Sequence, residues 1–329
     1  MPLEEDIALA YHADYYTHDD TSAPLTWYRR GYRWLKRGYL SWRYGYQRDS
    51  TTGWQRLLGL SLWLHPRRRL DIDTSVMHLP FRPGGRLLEV GCGAGLTLKT
   101  LSDLGWDVEG VDFDPRAVAN ARGRGLKVRQ GSLEAQGFDE SSFHAIVLSH
   151  LIEHVHDPRA LLAECRRVLH PEGTLVLLTP NADSLGHRIF RESWFHLDPP
   201  RHVVLLNPRN LHRLAEDAGL RVARIETRRR EAWLIWRCSR QVRALGRAMP
   251  FERRTLAERA GGLLYEAMEA ALLVARPLAG EEMLLVAGHG PRPTVRPAAR
   301  RAAPSPSARV DASSPREADG VALEGGPRE

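Results

Sequence analysis

Read along the chain, apolar residues cluster into short runs that alternate with segments of helical spacing. Strand-like runs fall at about 86–91, 107–112, 126–130, 144–149, 173–179, 220–226 and 282–287. Helix-compatible stretches separate most of them, at 115–122, 158–169 and 208–218 among others, each opening on a proline (Pro115, Pro158, Pro208), with Gly173 and Gly219 placed as stops. Strands that alternate with helices must pair in parallel, and a parallel sheet needs both faces covered. The pattern therefore predicts an α/β fold over about 81–289.

Three regions depart from this rhythm. Residues 1–26 read as a loosely structured lead-in. From 27 to 48 there are eight Trp/Tyr and seven Lys/Arg with no acid, and Gly31, Gly38 and Gly45 recur every seven residues, each followed by Tyr. Tyr28, Tyr32, Leu35, Tyr39, Trp42 and Tyr46 follow 3/4 spacing, so a helix lines them along one stripe. Three glycines weaken such a helix by about 1 kcal/mol each, so it needs a surface to fold on. Three readings stay open: a flap capping the main domain, an interfacial helix on an anionic membrane, and, least favoured, a single-stranded nucleic acid platform. Helix is expected to continue through 51–80, broken at Pro66, so that 1–80 forms an N-terminal extension.

Beyond the core pattern, 227–281 is an insertion that opens on Arg228-Arg229-Arg230 and carries an apolar helix at 263–275. It joins the N-terminal cations as one basic, aromatic face, suited to a lipid-linked acceptor or to a homodimer contact. After residue 290 the chain is rich in Pro, Ala, Ser and Arg and poor in large apolar residues, so 290–329 is expected to be a disordered tail.

Composition adds bounds. A chain of 329 residues, 43% hydrophobic and with 9 Trp, can bury one large core. Its three cysteines, Cys92, Cys165 and Cys238, are odd in number and far apart, so neither a disulfide framework nor a metal site is expected, and a reducing cytoplasm fits. The acidic N-terminus does not read as a signal peptide, and no apolar stretch is long enough to span a bilayer. A formal charge of +7 permits acidic partners without naming one.

The stretch 87–98, LLEVGCGAGLTL, carries the chemistry. A buried strand ends at Glu89, then Gly91, Gly93 and Gly95 lead into a helix start, a cradle in which a ligand can approach the backbone. The dinucleotide pattern G-x-G-x-x-G fails, because Leu96 stands where the third glycine belongs. What remains is E-x-G-x-G-x-G, with Asp112 closing the next strand 17 residues after Gly95. A carboxylate there can accept both hydroxyls of a ribose. Its alternative role, capping the helix at Pro115, suits Asp114 better.

With LLEVGCGAG, GVDFDP, GSLEAQGFDESSFHAIVLSHLIEHVHDP and RVLHPEGTLVLLTPN in order, residues 85–225 resemble the class I S-adenosylmethionine-dependent methyltransferases. The following segment, from SLGHRIF to AGLRV, is similar to a bacterial subgroup related to quinone-biosynthesis O-methyltransferases. The resemblance implies a Rossmann-like sheet of seven strands, mostly parallel with an antiparallel last strand, and S-adenosyl-L-methionine as cofactor. It implies Glu89 at the methionine end, Gly91, Cys92, Gly93 and Gly95 along methionine and ribose, Asp112 on the ribose hydroxyls and Phe113 on the adenine. Ser132 replaces an Asp common in the family, leaving the backbone of Leu133 to serve the adenine, and Ser149 lies nearest the methyl group.

A hydroxyl acceptor also needs a base. His150 is the first choice, followed by His154 and His202, with His187 and His196 as further candidates; Glu153 reads as solvated. The long connection 181–207 is expected to be an acceptor lid, with Trp194, Arg201 and His202 facing substrate. The expected reaction is O-methylation of a small molecule, sugar or lipid-linked precursor; peripheral membrane contact through 27–48 stays one of the open readings of that segment, behind the flap. N-methylation, RNA methylation and a non-catalytic binding module are the alternatives, and nucleic acid is disfavoured as a partner.

Overall fold

A computed structural model of the chain describes residues 27–230, 232–248 and 255–290; the expected lead-in and the tail after 290 lie outside these residues. Three helices come first: α1 (Trp27–Tyr44), α2 (Gly53–Gly59), which runs on as a 3-10 turn to Leu64, and α3 (Pro66–Ser75). Strand–helix alternation follows, with β1 (Arg86–Val90), α4 (Leu96–Asp103), β2 (Asp107–Asp112), α5 (Pro115–Gly123), β3 (Val128–Gln130), β4 (Phe143–Ser149) and α6 (Pro158–Val168). The last part comprises β5 (Leu169–Pro180), α7 (Leu185–Phe190), α8 (Pro208–Asp217), β6 (Leu220–Arg228), α9 (Ala232–Leu245), α10 (Leu256–Ala275) and β7 (Glu282–His289).

The seven strands order as β3-β2-β1-β4-β5-β7-β6, parallel except for β7, which runs antiparallel to both β5 and β6. This is the Rossmann-like sheet that the strand spacing and the resemblance imply. Successive residues of β1 serve opposite faces: Leu87 packs in one core with Leu98 and Val147, Leu88 in the other with Ile146 and Leu162. The chain leaves β1 toward β2 on one side and returns to β4 on the other, so a crevice opens where the carboxyl ends of β1 and β4 meet, the usual ligand position in such sheets. Because β7 is antiparallel, its first residue pairs with the last of β5, Glu282 with Pro180. That register delivers a residue from near the chain's end to the same crevice.

The N-terminal helices share the first of these cores with the sheet: Tyr39, Tyr46, Leu62 and Ile72 lie in it with Leu87 and Leu98. Tyr46 hydroxyl donates to the Leu79 carbonyl and accepts from the Trp106 indole at 3.0 Å. The glycines that weaken α1 in isolation have a packing reason. A Cβ on Gly38 would sit 2.0 Å from the Gln55 carbonyl oxygen, and one on Gly59 would sit 2.4 Å from the Tyr39 amide nitrogen. The two backbones cross where neither can carry a side chain. Gly38→Ala is therefore expected to destabilise the fold by about 1–3 kcal/mol, the usual cost of overpacking, measured as a lower denaturation midpoint; an unchanged midpoint would place the helices further apart.

The expected basic face at 228–230 does not form. Arg228 is buried, paired with Glu226 and hydrogen-bonded to His78, while the Arg230 guanidinium lies 3.8 Å from both Asp71 and Glu282. Nearby carboxylates absorb these cations because the insertion folds back on the domain. Among the described residues, no helix is long and apolar enough to cross a membrane.

Candidate functional site

Strand β1 ends in a turn whose glycines all have positive φ, 72° at Gly91, 52° at Gly93 and 78° at Gly95. Two of them are also hemmed in: a Cβ on Gly91 would strike Leu151 and one on Gly95 would strike Leu126, whereas above Gly93 there is open space. The open side is where a ligand can lie against the backbone. Asp112, at the end of β2, reaches across to this turn. Its Oδ2 accepts from the Gly93 amide at 2.7 Å and its Oδ1 from the Asp114 amide at 2.9 Å. Burial lifts its pKa while those two N–H groups hold it down, with a net rise. Asp114, not Asp112, caps α5, accepting from the Arg116 amide.

Phe113 is exposed beside the turn, and Ser132 is exposed with its hydroxyl facing the Ala135 amide. The Leu133 side chain is buried in the core, as is the Cys92 thiol, which burial pushes well above its ordinary pKa. Only the backbone at these two positions can meet a ligand.

Glu89 is buried, and one carboxylate oxygen, Oε2, has no hydrogen-bond partner. Burial pushes its pKa up to about 8, against the Thr97 hydroxyl and the Leu98 amide, with Asp112 adding to the rise. An orphaned carboxyl at the end of a glycine turn is a waiting partner for a cationic group.

The second half of the site is a cluster of histidines around Glu153, at the carboxyl ends of β4 and β5. Expected to be solvated, Glu153 is instead buried, in a 3-10 turn just after β4. Its Oε2 accepts from the Thr179 hydroxyl at 2.9 Å, and its backbone carbonyl accepts from Val203 and Val204. Burial works against its charge, but His150, His154 and His202 outweigh that and hold its pKa down to about 2. The chain showed His150 and His154 flanking it but hid its burial and the approach of His202, which comes from the separate segment 181–207.

His150 has φ of 51°, an uncommon backbone for a residue with a side chain. Its Nε2 lies 3.0 Å from Glu282 Oε1 and its Nδ1 3.3 Å from Glu153 Oε1. Burial opposes the imidazolium, yet the two carboxylates win and its pKa rises; the side chain is 40% exposed, so solvent screens part of that pairing. Here the expectation of His150 as base needs correcting, since an imidazole gripped between two carboxylates already carries its proton at neutral pH. Glu282 was invisible to sequence reasoning, lying 132 residues away and arriving only through the antiparallel β7.

The connection 181–207, expected as a lid, supplies the rest. His202 Nδ1 donates to the His196 carbonyl at 2.6 Å and His154 Nδ1 to the Arg201 carbonyl at 3.1 Å; the carbonyls fix these tautomers, because they can only accept. The His202 and His154 rings meet edge to face at 4.6 Å. His196 is different. Its ring stacks 6.5 Å from His150 and 6.4 Å from His202, and among the described residues neither of its ring nitrogens has a hydrogen-bond partner. Burial, then the charges of His150 and His202, lower its pKa to about 3, so it stays neutral.

Two further expectations meet the structure differently. Trp194, expected to face substrate, is almost wholly buried, its indole donating to Glu281 Oε2 at 3.2 Å and stacking on His187 at 4.7 Å. It holds the 181–207 connection to the body of the domain, because an indole with a satisfied N–H is stable in the core. Arg201 is half-buried and paired with Asp198. No metal was expected, yet Glu153, His154 and His202 each offer one ligand atom, all within 4.8 Å of one another, a donor set suited to a divalent ion.

Residues 63–225 match the family model described as a methyltransferase domain. A Mycolicibacterium smegmatis protein named "Probable S-adenosylmethionine-dependent methyltransferase" is 33% identical over 147 residues, 44% of this chain and 55% of that protein. A ubiquinone biosynthesis O-methyltransferase from Xanthomonas oryzae pv. oryzae is 38% identical over 120 residues, covering 34% of this chain and 49% of its own length. The chain thus spans about half the length of the curated relatives it matches. Among solved structures, phosphoethanolamine N-methyltransferase 2 of Haemonchus contortus superposes with a TM-score of 0.48 at 18% identity, over 67% of this chain and 53% of the other.

Proposed function

We propose that this chain, of which residues 63–225 match a methyltransferase domain, is a class I S-adenosylmethionine-dependent methyltransferase that transfers a methyl group to an oxygen of a small acceptor held over the ends of β4 and β5. Oxygen is favoured over nitrogen because relatives at 33% and 38% identity are named O-methyltransferases. The acceptor is a small molecule, free or carried on a sugar or lipid.

When bound, the cofactor supplies a methyl group already activated on sulfonium, so the protein's task is positioning and removal of one proton. The cradle fits that molecule on its own observations: the orphaned Glu89 oxygen for the ammonium group, open space above Gly93 for the chain between, and Asp112 for the ribose hydroxyls. Phe113 and the Leu133 backbone stand beside the place for the adenine, and Ser149 ends β4 on the side of the acceptor.

The neutral, unpartnered His196 carries the reading of the acceptor side. It takes the hydroxyl proton, while the His150 imidazolium beside it stabilises the oxygen as negative charge develops. Glu153 and Glu282 keep that imidazolium charged and in place, and His154 and His202 line the pocket as Arg201 fixes the lid.

Glu89 makes binding pH-dependent. Its carboxyl is protonated below about 8, and an ammonium partner favours the ionised form, so binding must expel a proton at neutral pH. Affinity for S-adenosylmethionine is expected to rise as pH increases from 6 toward 8, approaching tenfold per unit, and then level off. Calorimetry in buffers of different ionisation enthalpy would show close to one proton released at pH 7; release of none would remove Glu89 from the site. The same titration tests the function itself. Failure to bind either S-adenosylmethionine or S-adenosylhomocysteine would overturn it, and binding without a mass shift on any hydroxylated extract component would leave a non-catalytic module.

A further inference from the structure

The short helix α2 is amphipathic the wrong way round. Gln55 and Gly59 face inward against α1, with the Gln55 amide donating to the Trp34 carbonyl at 2.8 Å, while Trp54, Leu57 and Leu58, at i, i+3 and i+4, face solvent at 74%, 53% and 51% exposure. Leu64 and Trp63 continue the apolar surface along the 3-10 turn, and Tyr28, Trp34 and Trp42 are exposed on α1, the helix that packs on α2. An isolated exposed leucine needs no explanation, but five large apolar side chains within eleven residues, 54–64, do.

Charge identifies the occupant. Residues 27–70 hold eleven Lys/Arg and a single acid, Asp49, and Arg29, Arg30, Arg33, Arg37, Arg48 and Arg68 are exposed around the apolar residues. A protein partner buried on tryptophan and leucine alone would not call for this one-signed rim. An anionic bilayer matches both features: aromatic rings settle at the headgroup level, and arginines pair with lipid phosphates around them. We propose that the outward face of α2 and its 3-10 continuation, residues 54–64, docks this protein on an anionic membrane surface, with the α1 arginines as its electrostatic collar. Of the readings open for 27–48, burial of Tyr39 and Tyr46 in the core fits the flap packed on the main domain, and it is the α2 face that turns outward.

The full chain should co-sediment with vesicles carrying roughly 30% phosphatidylglycerol in phosphatidylcholine, and bind pure phosphatidylcholine at least tenfold more weakly, with high salt reducing the difference. The triple variant Trp54→Glu, Leu57→Glu, Leu58→Glu should lose anionic binding at least tenfold while keeping its circular dichroism spectrum, since all three side chains are exposed. Should that variant misfold, Trp54→Ser with Leu58→Ser repeats the comparison. Equal sedimentation of wild type and folded variant overturns the proposal. So does a wild type that ignores vesicles but forms dimers which the variant dissolves, because the face would then belong to a second copy. Vesicle binding is read without cofactor, so its failure leaves the methyl-transfer reading standing, and failure to bind S-adenosylmethionine leaves the membrane reading standing.

Discussion

Replacing Asp112 by alanine is expected to weaken S-adenosylmethionine binding by about 10²–10⁴-fold. The carboxylate offers two oxygens at the end of β2, and each charge-assisted hydrogen bond to a hydroxyl is worth about 1.5–3 kcal/mol, so losing two removes about 3–6 kcal/mol. A second loss compounds this, because Asp112 Oδ2 also anchors the Gly93 amide, on the one glycine of the turn with open space above it. Asp112→Asn separates the contributions: it keeps one acceptor oxygen but loses the charge, and should fall between wild type and alanine. Calorimetric titration of the three proteins decides the matter. An alanine variant that binds within threefold of wild type would remove Asp112 from the ribose site.

The next largest effect is expected at His196. Its alanine variant should lose about 10²-fold or more in kcat toward a hydroxyl acceptor, the usual contribution of a positioned base, with KM little changed. His150→Ala should behave differently, lowering thermal stability as well as turnover, because Glu153 and Glu282 would face each other without the cation between them. The pH profile distinguishes the two assignments. A base whose pKa is lowered to about 3 is unprotonated throughout the neutral range, so kcat/KM for the acceptor, measured at saturating S-adenosylmethionine, should stay level as pH falls from 7 to about 5. Had His150 been the base, its raised pKa would make activity climb steeply on the alkaline side as the imidazolium lost its proton. That climb, or a His196→Ala variant with near-normal turnover, would sink the His196 assignment.

The glycine turn and its carboxylate, the candidate cofactor cradle, were readable because they are local. Glu89, Gly91, Gly93 and Gly95 sit within seven residues, and Asp112 closes the very next strand, so chain spacing and spatial arrangement coincide. Leu96 sufficed to exclude the dinucleotide pattern. The alternation of strands and helices likewise gave the α/β class, while the antiparallel last strand was implied only by the resemblance.

The acceptor half was not readable, for a corresponding reason. His150, Glu153, His196, His202 and Glu282 come from the end of β4, the lid and the start of β7, and only tertiary packing sets which of them touch. Whether a histidine is a base depends on burial and its neighbours' charges: two carboxylates keep His150 protonated, a base already spent, while burial and the charges of His150 and His202 keep His196 neutral. Burial likewise turned Trp194 from a lid surface into a core residue and Glu153 from a solvated acid into a hub. The same holds at the N-terminus, where the sequence displayed an aromatic, cationic helix but not which face would be covered. By itself, then, the sequence determined the fold class and the cradle, because periodicity and glycine spacing act over a few residues. Tertiary structure decided the protonation of the histidines and the outward face of α2, because charge, burial and exposure are set by what lies across space and not along the chain.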